Sequence, residues 1–220
     1  MTIDPRAIQQ WDAMMTELDK LIHQHEPVIE QEGSFLHIIE AISAEAVDNY
    51  HSLRQAYFND AQTPIAWACR NLLELAVFAE FVIESNSNAK TFAEDRLIDG
   101  HQIAVLVQRL EEWGGVSSHA QATVDLYVKQ IKSENIARTD FTPVHQMAKG
   151  GLKKEFSTVN KLCSKLVHPT AWSLLTNDKK AERFPQASEI LFVFGAKYFM
   201  TLCAAFMPHI RQYGLRPKPL

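Results

Sequence analysis

The run SKLVHPT, residues 164–170, brings together a hydroxyl, an ammonium and a ring that titrates near neutrality, the groups that phosphate chemistry uses. Pro169 drives the preceding residue out of the α region, so His168 is expected at or just past the end of a helix, its imidazole projecting from that end. The negative end of the helix dipole favours the imidazolium there. Ser164 and His168, four apart, share a face, and Lys161 lies one turn before Lys165. Candidate catalytic residues are therefore His168, Lys165 and Ser164, with Lys161 as an anion contact. The structural alternative needs no ligand: a lysine and a histidine in a last turn stabilise a helix end by themselves.

A second candidate is Arg70 with Glu74 in ACRNLLELAVF, roughly 40° apart on a helix that is otherwise apolar. Such a pair is expected to be partly buried, either as an ion pair that fixes helix register or with Arg70 turned to a cleft to bind phosphate. His37, Glu40, Glu45, Asp48 and His51 are metal-ligand types clustered on one segment. A di-iron bundle needs Glu-x-x-His on two helices with further Glu partners, and no such set is present. Neither a metal nor a cofactor is expected. A metal-dependent helical enzyme would need at least three of His37, Glu40, Asp48 and His51 to converge with a ligand from another helix. RLIDGH, residues 96–101, has an arginine and a histidine five apart, a short pattern of low specificity. A phosphate-binding glycine loop, a dinucleotide fingerprint and the Ser-His-Asp hydrolase order are absent.

The elements that must hold these residues are helical almost everywhere, and no alternating strand pattern stands out. Asp4 and Pro5 start a helix that runs to about His25; Ser34 caps a second from Phe35 to Phe58; Thr63 and Pro64 start a third, apolar nearly all round and so central. A fourth reaches Trp113, with Gly114 and Gly115 as a left-handed stop and Gly100 as a break or kink. A polar fifth helix, a short helix from Pro143 to Lys149, a helix from Leu152 to Val167 and a last one from Ser188 to about Tyr213 follow. The expected fold is an all-α bundle of about six or seven helices in one domain spanning 1–220, with residues 1–30 as an N-terminal helix and 214–220 as an extended tail.

Composition limits the partners. With 220 residues, 46% hydrophobic and 22% charged, the chain is of ordinary globular type, and a net charge of -4 gives no global field for indiscriminate phosphate binding. Any nucleic-acid contact must be local. Cys69, Cys163 and Cys203 sit in apolar helical patterns as reduced core thiols would. MTIDPRAIQQ lacks the features of a signal peptide, so a cytoplasmic protein is expected. The apolar run from Ile190 to Met207 carries Lys197 near its centre and reads as a buried helix with no membrane role.

The stretch from Thr63 to Asp99, followed by NKLCSKLVHPT, resembles a bacterial family of unknown function with an Arg-x-x-x-Glu helix and a helix ending in Ser-x-x-Val-His-Pro. That family looks like a distant relative of the HEPN helical superfamily, many of whose members are metal-independent ribonucleases of toxin or phage-defence systems that act as dimers across a cleft. The resemblance implies a HEPN-like bundle, a homodimer, and a nucleic-acid or nucleotide ligand, with RNA cleaved by a metal-independent endoribonuclease of a defence or stress system. His168 would match the superfamily histidine. An Arg-Asn pair normally precedes it by several residues; the corresponding stretch here is Asn160 and Lys161, then Ser164 and Lys165, so the arginine is missing and a lysine supplies charge without the planar fork. The rival expectation is a non-catalytic helical module for protein interaction or a small anion. An open basic groove joining Arg70, Lys165 and His168 would favour the first; residues scattered or held against carboxylates would favour the second.

Overall fold

The computed structural model describes residues 3–23, 25–27, 34–115, 119–167, 185–213 and 215–217. Among them are eight helices: α1 (Pro5–His23), α2 (Phe35–Phe58), α3 (Gln62–Glu84), α4 (Asn86–Trp113), α5 (Gln121–Ser133), α6 (Val144–Met147), α7 (Gly150–Val167) and α8 (Pro185–Tyr213). The fold is an all-α helical bundle. The count exceeds six or seven by the short helix expected near Pro143, which forms as the separate element α6. The strands β1 (His25–Pro27) and β2 (Leu215–Pro217) pair antiparallel. Three residues each are too few to leave an alternating pattern in the sequence.

The single domain read from the sequence falls into two compact units, residues 1–84 with 144–220, and residues 85–143. In the first, α3 is the central helix: Ile65, Ala68, Cys69, Leu72, Leu73, Ala76 and Val82 are buried around most of its circumference against α2, α7 and α8. α8 contributes Phe192, Phe199, Leu202 and Phe206, all with no exposed surface. Gly195 lets α8 approach α2 closely, since a Cβ there would stand 2.6 Å from the buried Leu53. Among the described residues, Gln186–Gln212 is the one helix long and apolar enough to cross a membrane, and 56% of its most apolar window is buried inside the protein. Lys197 reaches the Glu155 carboxylate of α7. Ser34 caps α2 by accepting from the His37 amide at 3.3 Å.

The second unit is α4, α5 and the segment that follows them. Ser85 caps α4 through the Asn88 amide at 3.1 Å. α4 runs unbroken through Gly100, where a break had been expected. The glycine serves packing instead, because a Cβ there would lie 2.4 Å from the Tyr127 ring of α5. Gly115, at φ +67, provides the expected left-handed stop. Apolar burial in this unit is sparse: α5 buries no residue, and α4 buries Ala89, Leu97, Ile98 and Ala104 beside the carboxylate Asp95. Arg138 answers that carboxylate, donating from Nη1 to Asp95 Oδ1 at 2.5 Å and from Nη2 to the Thr91 carbonyl at 2.7 Å. The Thr142 amide adds a bond to Asp95 Oδ1 at 3.0 Å.

Candidate anion-binding groove

α7 is amphipathic. Leu152, Val159 and Cys163 are buried, while Lys153, Ser157, Asn160, Lys161 and Ser164 recur in steps of three or four along another face. That face, with Lys165 at its far end and His145 of α6 at its side, lines an open groove of about 570 Å³. Phe156 completes the lining, and no carboxylate belongs to it. Three of the residues expected at a site, Ser164, Lys165 and Lys161, are thus brought together. His168 lies outside the described residues.

The lysines of the groove differ from their neighbours. Lys149 pairs with Glu84 and Lys197 with Glu155, whereas Lys153, Lys161 and Lys165 make no ion pair with the described residues. Lys161 and Lys165 stand in the i,i+4 relation in which like charges cost a helix a few tenths of a kcal/mol. The helix dipole offsets part of this for Lys165 in the last turn, and for Lys153 near the start it adds to the cost. Asn160 carries a side-chain oxygen that is buried and has no hydrogen-bond partner among the described residues. An acceptor left so costs about 1–3 kcal/mol.

Arg70 takes a different position. Its Nε donates to Glu74 Oε1 at 3.1 Å, with the two side chains 35% and 26% exposed. α3 and α7 run antiparallel: Thr63 Oγ1 donates to the Leu166 carbonyl at 3.4 Å near one end, and Glu84 meets Lys149 near the other. Between these ends Cys69 and Cys163 meet, both free and buried. Their shared hydrogen bond and burial push the Cys69 thiol far up, while the same bond, with Arg70 nearby, draws the Cys163 thiol down. Arg70 therefore flanks the inner side of α7 next to Cys163 and does not line the groove; its Nε is committed to Glu74.

The remaining candidates do not assemble. Among the described residues no three of His, Cys, Asp and Glu converge to hold a metal, so His37, Glu40, Asp48 and His51 remain separate positions along α2. Arg96 and His101 sit in the unbroken α4 of the other unit, roughly 140° apart around the helix and so on different faces. Sequence reasoning missed Lys153, Ser157 and His145, and reached Asn160 only through the motif resemblance. The signal for the first two was present, because they extend upstream the face that carries Lys161 and Ser164. His145 carried no such signal, since it joins the groove only through the fold of α6 beside α7.

No family model, curated protein or solved structure matches this chain. The likeness to the HEPN superfamily accordingly rests on motif residues alone.

Proposed function

We propose that the α7 groove binds the phosphate groups of nucleic acid or of a nucleotide, in a cytoplasmic HEPN-like protein whose preferred ligand is RNA. The observation that carries this reading is the set of three lysines without carboxylate partners among the described residues, in one open groove beside hydroxyl and amide groups that can bond to a ribose. With a net charge of -4 the chain offers no general attraction, so affinity is local to this face.

Cleavage, which the motif resemblance adds, would need no metal. A base takes the 2'-hydroxyl proton, the 2'-oxygen attacks phosphorus, and the bond to the 5'-oxygen breaks as an acid returns a proton to it. The products are a 2',3'-cyclic phosphate and a 5'-hydroxyl. His168 is the acid or base by motif and His145 the ring the fold places in the groove. Lys161 and Lys165 would stabilise the phosphorane charge.

The test is binding and cleavage of labelled single-stranded RNA in EDTA at several salt concentrations. Replacing Lys153, Lys161 and Lys165 with alanine should weaken binding and reduce the salt slope by about 2, at about 0.7 per lost phosphate contact. An unchanged slope removes the groove from the account. If binding depends on the lysines and no cleavage is seen, the rival reading of a non-catalytic anion-binding module stands, which the commitment of Arg70 to Glu74 favours. Cleavage that is lost in His168→Ala or His145→Ala identifies the acid or base.

A further inference from the structure

The C-terminal half of α4 turns large apolar side chains to solvent. Ile103, Leu106, Leu110 and Trp113 are 60%, 56%, 60% and 80% exposed, and Val107 beside them is 43% exposed. These are not scattered. With Ile103 at position a of a heptad, Leu106 is d, Leu110 the next a and Trp113 the next d, the spacing of a coiled-coil seam. The residues that meet α5 form another stripe: Gly100 against Tyr127, the buried Ala104, and Glu111, whose carboxylate accepts from the His119 and Ala120 amides. The two stripes are roughly 120° apart. Val107 lies between them and, with Ile103, borders a pocket shared with Thr123 and Tyr127 of α5, so the side of the seam formed by Leu106, Leu110 and Trp113 is the part that α5 leaves uncovered.

We infer that this seam is the surface through which two copies of the chain pair. A stripe with a/d spacing fits a helix of the same repeat, and an isologous pair supplies one without any further partner. In an antiparallel pair whose two-fold axis passes midway between Leu106 and Leu110, Leu106 of one copy meets Leu110 of the other, and Ile103 meets Trp113. Extent supports the same occupant. The four seam side chains expose on the order of 500 Å², so two copies face to face bury about 1,000 Å², the size a specific interface has to reach. Register is fixed by what lies upstream: the preceding a and d positions are Arg96 and Asp99, both exposed. A slip of one heptad would set an apolar layer against charge, which costs far more than the contact returns.

The surface lies wholly within residues 85–143 and does not depend on the ligand reading of α7. The test is sedimentation equilibrium of the full chain from about 1 µM to about 100 µM, the range in which an interface of modest size dissociates. The wild type should be dimeric at the upper end. Leu106→Glu with Leu110→Glu should be monomeric throughout with unchanged helical circular dichroism, and Leu126→Glu, on an exposed leucine of α5 outside the seam, should dimerise as the wild type does. A wild type that is monomeric at every concentration, or a dimer that survives the double glutamate substitution, overturns the inference.

Discussion

The two units spend their apolar residues in opposite ways. In residues 1–84 with 144–220, the most apolar helices are the most buried: α3 is closed in on most of its circumference, and Phe192, Phe199 and Phe206 of α8 have no exposed surface. In residues 85–143, the large apolar side chains in the C-terminal half of α4 face outward, while the inside holds a carboxylate bound by arginine beside Leu97 and Ile98. Hydrophobic burial is diffuse and shared among many contacts, so the first unit should lose stability in graded steps when trimmed. A buried ion pair is directional and concentrated in a few atoms, so the second should fail at single residues. An element's apolarity thus reports its packing only where the fold has a core large enough to receive it.

Substitutions at the two centres would break or sharpen this contrast. The largest effect is expected for Phe199→Ala, which opens a cavity and removes the ring stacked on Tyr50 at 4.7 Å; a loss of about 4 kcal/mol should appear in urea unfolding. A loss below about 1 kcal/mol would mean the first core is far looser than its burial implies. Next comes Arg138→Met, which strands the Asp95 carboxylate and should cost about 3 kcal/mol, read as faster amide exchange in α4 and α5 while α3 and α8 stay protected. Adding Asp95→Leu should restore most of that loss, since no charge is then left unpaired; a double variant as unstable as the single one would deny the pair its role.

The smallest effect is expected at Tyr50, whose hydroxyl donates to Asp12 Oδ1 at 3.2 Å and whose loss in Tyr50→Phe should cost about 1 kcal/mol. Burial, then the Asp12 charge and hydrogen bond, hold this phenol protonated well above its usual value of 10.0. The folded state therefore keeps the proton more tightly than the unfolded chain, and the stabilisation is complete below pH 10 and lost as pH rises past it. Tyr198, raised by burial and by Glu155, acts in the same sense. The wild-type urea midpoint should fall steeply above pH 10 and that of Tyr50→Phe less steeply; parallel profiles would count against the assignment.

Helix positions were largely legible in the sequence because their signals are local. The Ser34 cap, the Phe35–Phe58 span and the stop at Gly115 depend on neighbouring residues and formed as expected. What a helix face meets is not local. The spacing of Ile103, Leu106 and Leu110 marked a helix but not that its apolar side would be left open, and Gly100 looked like a break because Tyr127, its reason, is 27 residues away. The groove shows the same division. Ser164, Lys161 and Lys165 share a face by spacing alone, whereas His145 reaches it through tertiary packing.

The central claim, that the α7 groove is where nucleic acid binds, is tested most directly by mapping amide exchange with and without single-stranded RNA. Slower exchange concentrated in α6 and α7, and absent from the Lys153, Lys161 and Lys165 alanine variant, is the predicted result. Slower exchange confined to residues 85–143, or none at RNA concentrations that saturate binding, would contradict it.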